Sequence, residues 1–152
     1  MVNMVLPQLL YLPTEDGYRD YYENFYCQKC LITFDNIPVY FRKDRFRHAF
    51  YESSNRDQNK DIFSSERAER MLWIKATLEN PKAEQYQGWD RERKVYTPYR
   101  RVSVVYQDYV VILNLTLKSG GIFSAQFNTA YEADRSIVKI RQSPLWRREQ
   151  LV

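Results

Sequence analysis

The stretch Tyr109-Val110-Val111-Ile112-Leu113-Asn114-Leu115-Thr116-Leu117 decides the fold. Read with a period of two, it puts Tyr109, Val111, Leu113, Leu115 and Leu117 on one face and Val110, Ile112, Asn114 and Thr116 on the other. Just upstream, residues 101–107 alternate in the same way, with Val102, Val104 and Tyr106 together. Downstream, residues 122–131 set Phe123, Ala125, Phe127, Thr129 and Tyr131 on one side and Ser124, Gln126 and Asn128 on the other. The connections, Gln107-Asp108 and Lys118-Ser119-Gly120-Gly121, are of hairpin length. The pattern predicts an antiparallel meander with one apolar face. Its other face is rich in hydrogen-bonding groups: Arg101, Ser103, Asn114, Thr116, Ser124, Gln126 and Asn128.

A partner for the apolar face lies upstream. Residues 65–80 read as a helix, with Ser64 or Ser65 as N-cap, Glu66 and Glu69 in its first turns and Pro81 as its stop. Ala68, Met71, Leu72, Ile74, Ala76 and Leu78 form its apolar face, with Lys75 near the middle and Arg67 at the edge. Trp73 falls on the polar side with Glu66 and Arg70, which implies that a second surface covers the helix. Residues 14–24 read as a loop leading into a short helix, and residues 31–41 as two extended pieces around a turn at Asp35-Asn36. Asp44 is placed to cap a helix through His48 to Tyr51, ended by the polar loop Ser53-Ser54-Asn55-Arg56-Asp57. The fold class expected is α+β, with N-terminal helices packed on an antiparallel sheet.

At 152 residues the chain fits one domain with a core of its own, and its 44% hydrophobic content is that of a globular protein. Aromatics reach 16%, and Lys plus Arg exceeds Asp plus Glu by 23 to 19. The excess of +4 permits a polyanionic partner without requiring one. The start, Met1-Val2-Asn3-Met4-Val5-Leu6-Pro7, lacks a basic segment, and no apolar run reaches membrane-spanning length. A cytoplasmic protein with no membrane partner is expected.

Metal and cofactor chemistry find little support. Cys27-x-x-Cys30 has no second Cys or His pair to complete a zinc site, and it runs into an apparent strand rather than opening a helix. Two structural thiols is the simpler reading. With one histidine, scattered carboxylates, no Gly-rich phosphate loop and no Gly-x-Ser-x-Gly elbow, neither a cofactor nor a serine triad is indicated.

That one histidine, His48, lies in Phe41-Arg42-Lys43-Asp44-Arg45-Phe46-Arg47-His48-Ala49-Phe50, among four basic residues and three phenylalanines. Imidazole suits proton transfer near neutral pH, and cationic neighbours favour its neutral form while attracting phosphate. A lone histidine is more often a packing or surface residue.

Several segments taken together carry a family resemblance: Phe34-Asp35-Asn36-Ile37-Pro38-Val39-Tyr40-Phe41, His48, Arg67-Ala68-Glu69-Arg70-Met71, Trp73-Ile74, Tyr86-Gln87-Gly88-Trp89, Arg100-Arg101-Val102, Phe127-Asn128-Thr129-Ala130-Tyr131 and Ser143-Pro144-Leu145-Trp146. With helices first and a four-stranded antiparallel meander after them, the chain resembles the phage and mobile-element branch of the barnase–EndoU–colicin–RelE-like ribonucleases. The match covers residues 31–146, leaving 1–30 as an N-terminal extension and 147–152 as a tail. The resemblance implies metal-independent RNA cleavage, in which a base deprotonates the ribose 2′-hydroxyl, the oxygen attacks phosphorus and an acid protonates the leaving 5′-oxygen. It further implies His48, Thr129, Tyr131 and Arg67 as catalytic candidates. Arg101, Lys75, Asn128, Gln126, Lys139 and Arg141 are the candidates for substrate binding.

Strict alternation conflicts with that set, since it puts Thr129 and Tyr131 beside Phe123 and Phe127 on the core side. Either a bulge near Asn128 flips the register, or Gln126 and Asn128 are the working polar groups. The resemblance favours Thr129. The leading reading is a small ribonuclease acting on RNA, in the role of a toxin or anti-host factor carried by a phage or mobile element. Its alternatives are a catalytically silent module binding RNA or a protein partner or inhibitor, and a phage structural or morphogenesis protein.

Overall fold

The computed structural model describes residues 6–53, 60–118 and 122–150. The order of elements is α1 (Glu15–Phe25), β1 (Leu31–Ile32), β2 (Pro38–Tyr40), α2 (Arg45–Phe50), β3 (Tyr51–Glu52), β4 (Ile62–Phe63), α3 (Ser65–Glu69), α4 (Met71–Leu78), β5 (Glu84–Tyr86), β6 (Gly88–Asp90), β7 (Val95–Thr97), β8 (Val102–Tyr106), β9 (Tyr109–Lys118), β10 (Ile122–Glu132) and α5 (Ser136–Arg141). The fold is mixed α+β. The three long strands fall within a residue or two of where alternation puts them. Gln107, at φ 55°, makes the tight turn between β8 and β9. The other connection, at Ser119-Gly120-Gly121, lies outside the described residues, as does most of the loop that follows Ser53.

The sheet corrects the expected layout. It has six strands in the order β1-β2-β10-β9-β8-β5, and it is mixed rather than a four-stranded antiparallel meander. Strand β2 joins β10 in parallel, with Val39 opposite Ala125, and β5 pairs antiparallel with β8. The extended pieces at residues 31–41 therefore enlarge the sheet. Asn36, at φ 66°, turns β1 back onto β2, and Pro38 stands at the first residue of its strand, where the missing N–H is tolerated.

One face of the sheet meets the helices. Val104, Val111, Leu113, Ala125 and Phe127 pack with Phe46 and Phe50 of α2 and Met71, Ile74 and Leu78 of α4. The N-terminal segment belongs to this core. Thr14 caps α1 by accepting from Gly17 N–H, so helix begins where a loop is expected, and Tyr18 and Tyr22 are buried. The Tyr22 ring lies 5.7–6.4 Å from those of Phe41, Phe46, Phe50 and Phe127, and its hydroxyl donates to the Arg42 carbonyl at 2.8 Å. Each such ring pair stabilises by roughly 0.5–1.5 kcal/mol beyond its burial. Burial also pushes the Cys27 thiol up, keeping it protonated.

The helix expected over residues 65–80 is broken at Arg70. Its N–H bonds back to Arg67, and Trp73 N–H bonds back to Arg70, both over three residues. In an unbroken helix, apolar residues three apart drift around the axis. This tightened turn resets the phase so that Ala68, Met71, Ile74 and Leu78 all reach the sheet. Lys75 consequently points away from the core and pairs with Glu79 at 2.8 Å. Trp73 is covered by the N-terminal segment, donating to the Pro7 carbonyl at 2.7 Å.

The opposite face is divided. At the β5 side, Tyr86, Val105, Val110 and Ile112 pack beneath Ile137 of α5. The remainder is polar and opens into a cleft. Among the described residues no helix is long and apolar enough to cross a membrane.

Candidate functional site

The site begins at a bulge. In β10, Phe127 pairs with Leu113 but Thr129 pairs with Ile112, so Asn128 is an extra residue. The strand alternates correctly on both sides of Asn128, in opposite senses. Phe127 stays in the core, while Thr129 and Tyr131 turn to the other face. This resolves the register conflict in favour of a bulge.

A bulged residue leaves backbone groups without ladder partners. Here Arg45 of α2 supplies them, donating from Nε and Nη2 to the Asn128 carbonyl at 3.3 and 3.1 Å and from Nη2 to Asn128 Oδ1 at 2.7 Å. One turn along α2 stands His48, which lines the same cleft as Asn128. Lys60 donates from Nζ to the His48 carbonyl at 3.0 Å, satisfying an acceptor in the last turn of α2. The helix end, the bulge and Lys60 thus hold one another.

These groups open onto a cleft of about 1400 Å³, above the ~300–1,000 Å³ of ordinary small-molecule pockets. Its lining brings together His48, Asn128, Thr129, Tyr131, Arg67, Arg101 and Lys139. Its cations are Lys60, Arg67, Arg91, Arg100, Arg101 and Lys139, against the carboxylates of Asp90 and Glu92. Six against two is a far stronger bias than the chain's overall balance. Arg101 is set by its backbone, at φ 55° with its N–H donated to Asn114 Oδ1 at 2.8 Å.

The field acts on the titratable groups. Burial, followed by the charges of Arg45 and Lys60, pushes His48 down to about 4, with Asn128 opposing the shift. At neutral pH the imidazole is uncharged. Lys60 is also pushed down, by burial and then by Arg67 and Arg45. Burial raises Tyr131 despite Arg101 and Arg67, so its phenol stays protonated. The Arg67 guanidinium lies 5.6 Å from the centre of the Tyr131 ring, and its Nε approaches the Glu52 carboxylate at 3.4 Å. Thr129 Oγ1 is buried without a hydrogen-bond partner among the described residues.

Three expected site residues are not brought to the cleft. Lys75 is in its exposed pair on α4. Arg141 turns to the Gln107 carbonyl at 2.7 Å and to Glu84. Gln126 is exposed on β10 beside β2, outside the cleft lining. Sequence reasoning missed Lys60, Arg45's hold on the bulge, and the β6–β7 hairpin that carries Trp89 and Tyr96. The signal for the hairpin was Asp90, whose Oδ1 accepts from the N–H groups of Glu92 and Arg93, followed by Lys94 at φ 55°.

Among the described residues no three His, Cys, Asp or Glu side chains gather as metal ligands. Compared with known protein families, with curated proteins and with solved structures, the chain has no match.

Proposed function

We propose that this protein is a metal-independent endoribonuclease of barnase/RelE-like character and that the cationic cleft is its active site. The observation that carries the reading is the placement of an uncharged His48 among Lys60, Arg67 and Arg101 on the floor that also holds Thr129 and Tyr131. A neutral imidazole is the form that accepts a proton, so His48 acts as the base on the ribose 2′-hydroxyl. The resulting oxygen attacks the adjacent phosphorus to form a 2′,3′-cyclic phosphate, and the 5′-oxygen leaves with a proton. The Lys60 ammonium and the Tyr131 phenol are the two protonated groups at hand for that last transfer. Arg67 and Arg101 stabilise the charge that builds on the phosphoryl oxygens, and the unpartnered Thr129 hydroxyl adds a donor.

A base with a conjugate acid near 4 is weak, but bound phosphate counters the cations that depress it. The profile of kcat/KM should therefore lose activity only near pH 4, while that of kcat falls at a higher pH.

Incubating the purified protein with total RNA in EDTA tests the reading. Cleavage with 2′,3′-cyclic phosphate ends is the expected result. Activity only with added divalent metal, or products with 5′-phosphates, would overturn the mechanism. Binding without cleavage would point to the silent RNA-binding alternative, and absence of both to a structural role.

A further inference from the structure

Trp89 and Tyr96 are cross-strand partners in the β6–β7 hairpin, and their rings meet edge to face with centroids 5.0 Å apart. They remain 47% and 42% exposed while lining the cationic cleft. Rings of this size usually stabilise a fold by burial. Here two are held half in solvent on a short hairpin beside arginines. Gly88 fixes where that turn sits, because a Cβ at this position would lie 2.0 Å from the Arg100 carbonyl oxygen and 2.6 Å from that of Arg101. Trp89 therefore projects from a backbone seated directly on Arg100-Arg101. Arg101 in turn acts electrostatically on both His48 and Tyr131.

Resting on the ribonuclease reading above, we infer that the β6–β7 hairpin is a base-stacking arm and that the substrate is single-stranded RNA. An unpaired base lies against the Trp89–Tyr96 pair, and the phosphate of that nucleotide meets Arg100 and Arg101 on the way to His48. Base faces in a duplex are already stacked on one another and unavailable to a side chain, whereas unpaired bases offer theirs to aromatic rings. The cleaved bond is then the one next to the stacked nucleotide.

The test uses a fluorescently labelled 2′-O-methyl oligonucleotide, which lacks the attacking hydroxyl, read by anisotropy both alone and annealed to its complement. The single strand should bind at least about tenfold more tightly than the duplex. Trp89→Ala should weaken single-strand binding by about 5- to 100-fold, the usual contribution of one stacked base, and Tyr96→Ala should act in the same direction. Trp89→Phe should keep most of the affinity. The slope of affinity against salt should stay as in the wild type, because phosphate contacts are untouched. Wild-type affinity in Trp89→Ala, or equal binding of single strand and duplex, would overturn the stacking arm and leave the ribonuclease reading standing. Failure of the wild type to bind either RNA would overturn that reading itself.

Discussion

The two faces of the sheet use the same kinds of residue for opposite ends. On the helix-covered face, Tyr22, Phe46, Phe50 and Phe127 are all buried, with the Tyr22 hydroxyl satisfied by a carbonyl. On the cleft face, Trp89 and Tyr96 stay half exposed, and the Thr129 hydroxyl has no partner among the described residues. The first face is closed over by buried rings; the second leaves aromatic surface and positive charge open to a ligand. Like charges held together destabilise a fold, so their concentration on one face is a physical sign of function. The bulge at Asn128 is where one strand passes from the first regime to the second.

The largest expected effects separate the faces cleanly. His48→Ala should lower turnover by about two to four orders of magnitude while changing stability by at most about 1 kcal/mol. Tyr22→Ala should remove about 3–5 kcal/mol of stability, as deletion of a buried ring does, and leave the chemistry of the molecules that remain folded unchanged. Single-turnover RNA cleavage and urea unfolding measure the two. A His48→Ala protein with full activity would break the comparison at its centre, and the site would have to be rebuilt around Lys60, Arg67 and Arg101.

Arg45→Ala tests the joint between the faces. It should cost about 1–3 kcal/mol, because the Asn128 carbonyl loses its donor in a half-buried position. Turnover should fall with it, since the same contact holds the bulge under His48. If stability drops but turnover does not, the bulge and the histidine are positioned independently.

What was legible in the sequence follows from this division. Strands β8, β9 and β10 could be read because each holds one apolar row for several residues against a covered face. The bulge showed only as a conflict between strict alternation, which kept Thr129 and Tyr131 beside Phe127, and the family resemblance, because the Arg45 contact that supports it spans 83 residues. The helix over residues 65–80 was readable, but its break at Arg70 was not, since no Gly or Pro marks a break that tertiary packing imposes. That break is what carries Lys75 away from the site. The β6–β7 hairpin escaped because each of its strands has three residues and its turn uses Asp90 and Lys94 rather than glycine. Lys60 reaches the cleft by topology alone, whereas the resemblance had already named Arg67. Seven of the cleft's lining residues were already named as candidates, whereas Lys60 and the paired rings of the hairpin were not.

Acid should reveal the cost of keeping His48 neutral. Above its ordinary pKa of 6.5, folded and unfolded states are both uncharged at this residue and it contributes nothing to pH dependence. As pH falls from 6.5 towards 4, the unfolded chain takes up a proton that the native cleft refuses, so stability declines across that window. Because the ring is half exposed and screened by solvent, the loss is of order 1–2 kcal/mol by the lower limit. Urea unfolding at pH 7 and pH 5 should show a steeper decline in the wild type than in His48→Gln, with the carboxylate contributions cancelling in the difference. Equal declines would mean that the cleft does not depress the histidine.

The smallest effect is the most diagnostic. Thr129→Val preserves shape and removes only a hydroxyl whose oxygen is buried without a partner among the described residues. On the packed face such a change would leave the protein slightly more stable and otherwise unaltered, because an unsatisfied polar atom costs about 1–3 kcal/mol to bury. On the ribonuclease reading the same hydroxyl donates to a phosphoryl oxygen in the transition state, so its loss should raise the barrier. The expected protein is therefore at least as stable as the wild type and about tenfold or more slower in single-turnover cleavage, with RNA affinity little changed. Unchanged turnover with raised stability would return Thr129 to a packing role and leave Asn128 as the polar group that faces the phosphate.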